Sequence, residues 1–156
     1  LDNKSELANI SRLSSDLESD EALVIFPEGT RFSLGKLTRA VSALTETAPQ
    51  RVNAAQELRS VLPIRTAGTL AALSTSHADL VFCNHVGVAD ISSMQQLRNE
   101  VPIRNPLTFK IERISRTTVP TLLEEKNLIQ WLDGQWTEID RWVTQHQADK
   151  SPQSGN

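Results

Sequence analysis

Val24-Ile25-Phe26-Pro27-Glu28-Gly29-Thr30-Arg31-Phe32 is the stretch from which the rest of the chain is best read. Its first residues complete a short apolar run, Ala22 to Phe26, that contains no polar side chain. Such a run bounded by turn signals predicts a strand buried on both faces, as in parallel sheets. Pro27 to Arg31 follows as a turn by composition. An acid, a glycine and an arginine are thereby set at the carboxyl end of a strand, where open α/β sheets bind their ligands.

The residue types suit a phosphate ester. Gly29 lets backbone come close to a ligand. Arg31 offers a planar fork that bonds two phosphate oxygens in parallel. Glu28 has the chemistry to orient that arginine or to accept from a hydroxyl, and Lys36 and Arg39 add positive charge just downstream. The plainer alternative is a strand-to-helix turn closed by a Glu28–Arg31 ion pair.

Outward from this stretch, helical and strand patterns alternate. Leu7, Ile10, Leu13 and Leu17 repeat at helical steps over residues 5–17, and Leu37, Ala40, Val41 and Leu44 do so over 36–46. Short helices are expected over 54–61 and 69–74. Strands are expected at 79–84 and 106–114, and a helix over 91–100 with Asp90 as its N-cap. The longest apolar stripe, Leu128, Trp131, Leu132, Trp136, Ile139, Trp142 and Val143, predicts a helix over 123–147 docked on the sheet, with Asp133, Thr137 and Arg141 towards water. The expected fold is α/β: a partial layered domain, its sheet mainly parallel and flanked by helices. The domain spans 1–147, and the polar residues 148–156 form a disordered tail.

Bulk properties narrow the functions. The chain has 156 residues, a net charge of −3 and no tyrosine. An acidic balance gives no footing for a nucleic-acid surface. Cys83 is the one cysteine, so no disulfide forms within the chain. No apolar run reaches the length of a bilayer span, and the polar N-terminus is no signal peptide. The isolated chain is expected to be soluble. Opening without Met, directly on a helix-like segment, it reads as a fragment of a longer protein.

Phe26-Pro27-Glu28-Gly29-Thr30-Arg31 resembles, in full, the signature block of glycerophosphate and lysophosphatidate acyltransferases. Val61-Leu62-Pro63-Ile64-Arg65-Thr66-Ala67-Gly68 is similar to a later Leu-Pro-x-Arg-x-x-Gly run of related lysophospholipid acyltransferases, and the spacing of Trp131, Trp136, Asp140 and Trp142 also resembles that subgroup. The likeness covers roughly 22–146, strongly at the first block and weakly beyond it. It implies a C-terminal part of the acyltransferase fold. The implied reaction moves a fatty acyl group from acyl-CoA or an acyl-carrier protein to a lysophosphatidate-like acceptor in phospholipid biosynthesis. It implies no cofactor besides that donor. Glu28, Gly29, Thr30 and Arg31 would bind the glycerol phosphate of the acceptor, and Arg65 would add a second cation. The parent protein would associate with a membrane, facing the cytoplasm, through an N-terminal part.

The family's chemistry also needs a histidine and an aspartate with four residues between them, well before the signature block. The histidine is the general base on the acceptor hydroxyl and the aspartate orients it. Residues 1–26 hold no histidine, so the pair is expected upstream of residue 1. His85 and Asp90 imitate its spacing but follow the block, and are read as a strand-end histidine and an N-cap. Cys83 with His85 would make a poor thiol–imidazole pair. His77, His85 and His146 are too scattered for a metal site, and none is expected. From another class, the rival is a non-catalytic phosphate-ligand or interaction module of the same fold.

Overall fold

The computed structural model describes residues 3–87, 107–121 and 125–148. The chain begins with α1 (Asn3–Ser15), then α2 (Leu34–Thr47), a 3-10 turn (Pro49–Arg51), α3 (Val52–Glu57) and α4 (Thr66–Thr75). Strands β1 (Leu80–Val86) and β2 (Thr108–Ile114), a 3-10 turn (Arg116–Thr118) and the long α5 (Glu125–Ala148) complete it. Each helix expected from periodicity within these residues is present. The proposed helix over 91–100 and the tail 149–156 lie outside the described residues.

The sheet differs from expectation. Instead of a mainly parallel sheet, the described residues hold two antiparallel strands, with Leu80 opposite Ile114 and Val86 opposite Thr108. One face of this pair is covered and the other is not, the pattern antiparallel sheets tolerate and parallel ones rarely do. On the covered face Phe82 meets Trp131 of α5, ring centroids 6.4 Å apart. On the open face Val81, Phe109 and Ile111 are exposed, beside Cys83 and His85.

The second correction concerns Ala22–Phe26. Among the described residues this run joins no sheet, and Val24 and Phe26 are 72% and 82% exposed. Burial nevertheless alternates along it, with Leu23 and Ile25 half-buried and Ala22, Val24 and Phe26 exposed. That is the period of a strand with one face on the protein. Burial on both faces requires neighbouring strands, and among the described residues β1 and β2 pair only with each other.

The core gathers around α5. Leu128, Leu132, Trp136, Ile139 and Val143 pack with Leu58, Val61 and Ile64 of the loop after α3, with Leu73 of α4 and with Val86 and Val119. The three tryptophans divide their work: Trp131 touches β1, Trp136 docks on the 58–64 loop, and Trp142 stacks against His146 one turn on. Trp131 thus meets the sheet ring to ring, and Trp136 shares the buried cluster with Val86 of β1. Asp133, expected in water, instead takes a two-pronged bond from the buried Arg51: Nε donates to Oδ2 at 2.8 Å and Nη2 to Oδ1 at 2.7 Å. α1 packs across α4, where the Thr75 hydroxyl donates to the Ser11 carbonyl at 2.8 Å.

Candidate functional site

The site is built on a loop held by α5. Asp140, 6% exposed on the apolar stripe of that helix, turns Oδ1 onto three successive amides: Arg59 at 2.9 Å, Ser60 at 2.7 Å and Val61 at 3.0 Å. A carboxylate in an apolar surrounding must be compensated, and three amide donors do so. One residue on, the Trp136 indole donates to the Leu62 carbonyl at 2.7 Å. The Arg51 guanidinium donates to the Ile64 carbonyl at 3.1 Å. Residues 59–64 are therefore pinned at five backbone groups by buried side chains.

This pinned loop in turn holds the Pro-Glu-Gly-Thr-Arg turn. The Leu62 amide donates to Glu28 Oε2 at 3.0 Å, and the Arg65 amide donates to the Pro27 carbonyl at 2.8 Å. The turn closes on itself as the Gly29 amide donates to the Phe26 carbonyl at 2.9 Å. Gly29 sits at φ +69°, in the left-handed region where a Cβ is strained. Its face is covered by Arg65: a Cβ on Gly29 would lie 3.0 Å from the guanidinium carbon. From the other side the Lys36 ammonium donates to the Thr30 hydroxyl at 2.8 Å and to the Arg31 carbonyl at 2.9 Å. Ser33 caps α2, its hydroxyl accepting from the Lys36 amide, which aims the first turn of that helix at the loop.

The geometry brings together residues that are far apart in sequence. Glu28, Gly29 and Arg65 form one cluster, with Thr30 and Arg31 following directly along the turn. Gly29, Thr30, Arg31 and Arg65 are exposed, so a ligand would meet them at the surface. Among the described residues the Arg65 guanidinium has no carboxylate partner. One Glu28 oxygen accepts from the Leu62 amide, so the residue also braces the turn. Burial pushes its carboxyl above the ordinary carboxylate value, the Leu62 amide pulls the other way, and the charge of Asp140 adds to the rise.

Comparison with protein-family models, with curated proteins and with solved structures gives no match.

Of the other candidates, His85 and Cys83 both face outward on the open side of the hairpin, where the His85 ring lies 6.1 Å from that of Phe109. Asp90 lies outside the described residues. Among the described residues no group of His, Cys, Asp and Glu is placed to hold a metal ion. Sequence reasoning missed Asp140 as the anchor of the site loop. The signal was available, since an acid on an apolar helical stripe must find buried donors. Arg51 gave no such signal.

Proposed function

We propose that this chain supplies the acceptor-binding part of an enzyme that transfers a fatty acyl group from a thioester to a lysophosphatidate-like acceptor. The observation that carries the reading is the clasp between residues 27–29 and 62–65. These are the two segments that resemble the acyltransferase blocks. They meet, and they put the cations Arg31, Lys36 and Arg65 around one exposed turn.

In this reading the phosphate of the acceptor lies against the turn, with the guanidinium groups of Arg31 and Arg65 on its oxygens. The Lys36 ammonium, held at Thr30, adds a point charge. Glu28 keeps the turn in shape. A general base outside residues 1–156, the histidine of a His/Asp pair, takes the proton of the acceptor hydroxyl. The alkoxide attacks the thioester carbonyl, the carbon–sulfur bond breaks, and the thiol of CoA or of a carrier protein leaves. The parent protein would meet its acceptor at a membrane surface. No helix among the described residues is long and apolar enough to cross a membrane.

The test is to give the purified chain lysophosphatidate and an acyl thioester. The acceptor is expected to bind without turnover, because a missing general base removes about 10²–10⁴-fold in rate. Turnover that disappears in His85→Ala would move the base to β1 and overturn the assignment. Failure of lysophosphatidate to bind at all would overturn the phosphate site.

A further inference from the structure

We propose that Asp140 is a positioning residue of the phosphate site: it does not touch the ligand, and it fixes the place of Arg65 on the turn through the loop between them. This role rests on the acceptor-binding function proposed above and names the buried group that sets its strength. Four successive amides, those of Arg59, Ser60, Val61 and Leu62, donate to two carboxylate oxygens. Asp140 Oδ1 takes the first three and Glu28 Oε2 the fourth. Successive N–H groups aimed one way make a concave anion cradle. Here α5 fills one part of the cradle and the turn fills the other, so one curl of backbone registers the turn against the helix.

Arg65 follows the cradle by three positions, and its path is fixed on the way. The Trp136 indole holds the Leu62 carbonyl, Pro63 sets its own φ, and the Arg51 guanidinium holds the Ile64 carbonyl. The Arg65 amide then donates to the Pro27 carbonyl, and its guanidinium covers Gly29. Where the cradle sits therefore decides where that guanidinium sits. The charge of Asp140 matters as well as its place. Bonds from amides to a carboxylate are roughly twice as strong as neutral ones. An uncharged acceptor at this position would leave the loop in the fold but hold it more loosely. A cation that is not held in place beforehand has to be ordered at the expense of binding. At 6% exposure Asp140 is itself shielded from the ligand, which its charge would repel.

The test is a double-variant cycle on the whole 156-residue chain, read by calorimetric titration with glycerol 3-phosphate well below the melting temperature. Asp140→Asn keeps an acceptor oxygen and removes the charge. Affinity is expected to fall about tenfold. In the Arg65→Ala background the same substitution should have almost no effect, because the guanidinium it positions is gone. A merely structural part would lower affinity alike in both backgrounds, and that result would overturn the proposal. Unchanged affinity in Asp140→Asn would do the same. Asp140→Glu keeps the charge and moves it outward by one methylene; it should lose affinity with the same dependence on Arg65, so the outcome does not hang on the folding of one variant. Thr144→Val removes the hydroxyl contact with Ser60, 2.8 Å long, and leaves the four amides alone. It should bind as the original chain does, and a loss equal to that of Asp140→Asn would count against Asp140. Absence of binding by the original chain would sink the acceptor-binding function together with this role, whereas binding that ignores Asp140 would sink this role alone.

Discussion

Arg65 rests on Gly29: the guanidinium occupies the space where a side chain on that glycine would begin, 3.0 Å from the Cβ position. The contact joins two residues 36 positions apart in the sequence, and the Arg65 amide reinforces it by donating to the Pro27 carbonyl at 2.8 Å. Gly29→Ala should therefore act twice. The left-handed φ of +69° makes any Cβ costly, roughly 1–2 kcal/mol. The new methyl also pushes the guanidinium aside, which a flexible side chain allows. A small fall in melting temperature with a larger loss of phosphate affinity is expected, read by thermal denaturation and by titration with glycerol 3-phosphate. Unchanged affinity would show that the position of Arg65 over the turn is irrelevant to binding.

The Arg51–Asp133 pair supports the loop from below, through the bond from Arg51 to the Ile64 carbonyl. Its side chains are 8% and 16% exposed, so removing one partner leaves a charge in a poorly hydrated place. Asp133→Ala should cost about 3–5 kcal/mol, whereas the double variant Arg51→Met with Asp133→Leu should recover most of that loss, short of the about 1–3 kcal/mol for the Ile64 carbonyl left without its donor. Denaturant unfolding of the single and double variants measures both. Equal losses in the two would mean that the pair contributes more than its own desolvation.

Two carboxyls give stability opposite dependences on pH. Glu28 is held above its ordinary value by burial, so the folded chain keeps its proton better than the unfolded chain does. Its ionisation costs stability: the cost is absent below the unfolded value and is complete once pH has risen through the folded one. Asp79 is held below its ordinary value, first by the Arg116 amide at 2.9 Å and then by Arg113. Its contribution is present above the unfolded value and is lost as pH falls through the folded one. Glu28→Gln should flatten the decline just above the ordinary carboxylate range, and Asp79→Asn the loss just below it. Chemical denaturation across the acidic range reads both, and a Glu28→Gln curve parallel to the original would contradict the account.

Much of this was legible in the sequence. Periodicity located α1, α2 and α5, because an apolar stripe records which face a helix buries. The Pro27–Arg31 turn and the Arg65 position were singled out by residue type and resemblance. What could not be read was long-range pairing. The run Val81-Phe82-Cys83 is apolar on both faces, which hid the one-sided burial of an antiparallel strand. Ala22–Phe26 looked buried because apolarity signals the need for neighbours, not their presence. The bonds from Leu62 to Glu28 and from Arg65 to Pro27 use backbone amides, which every residue carries, so no side-chain pattern could announce them.

The central claim is that the clasped turn binds a phosphate ester through Arg65 as well as Arg31. Calorimetric titration of the chain with glycerol 3-phosphate, repeated for Arg65→Ala, tests it most directly. A charge-assisted bond is worth about 1.5–3 kcal/mol, so affinity should fall roughly tenfold to a hundredfold. Because Arg65 has no carboxylate partner among the described residues, the melting temperature should stay where it is. Binding of equal strength in the original chain and in Arg65→Ala would contradict the claim, as would no binding to either.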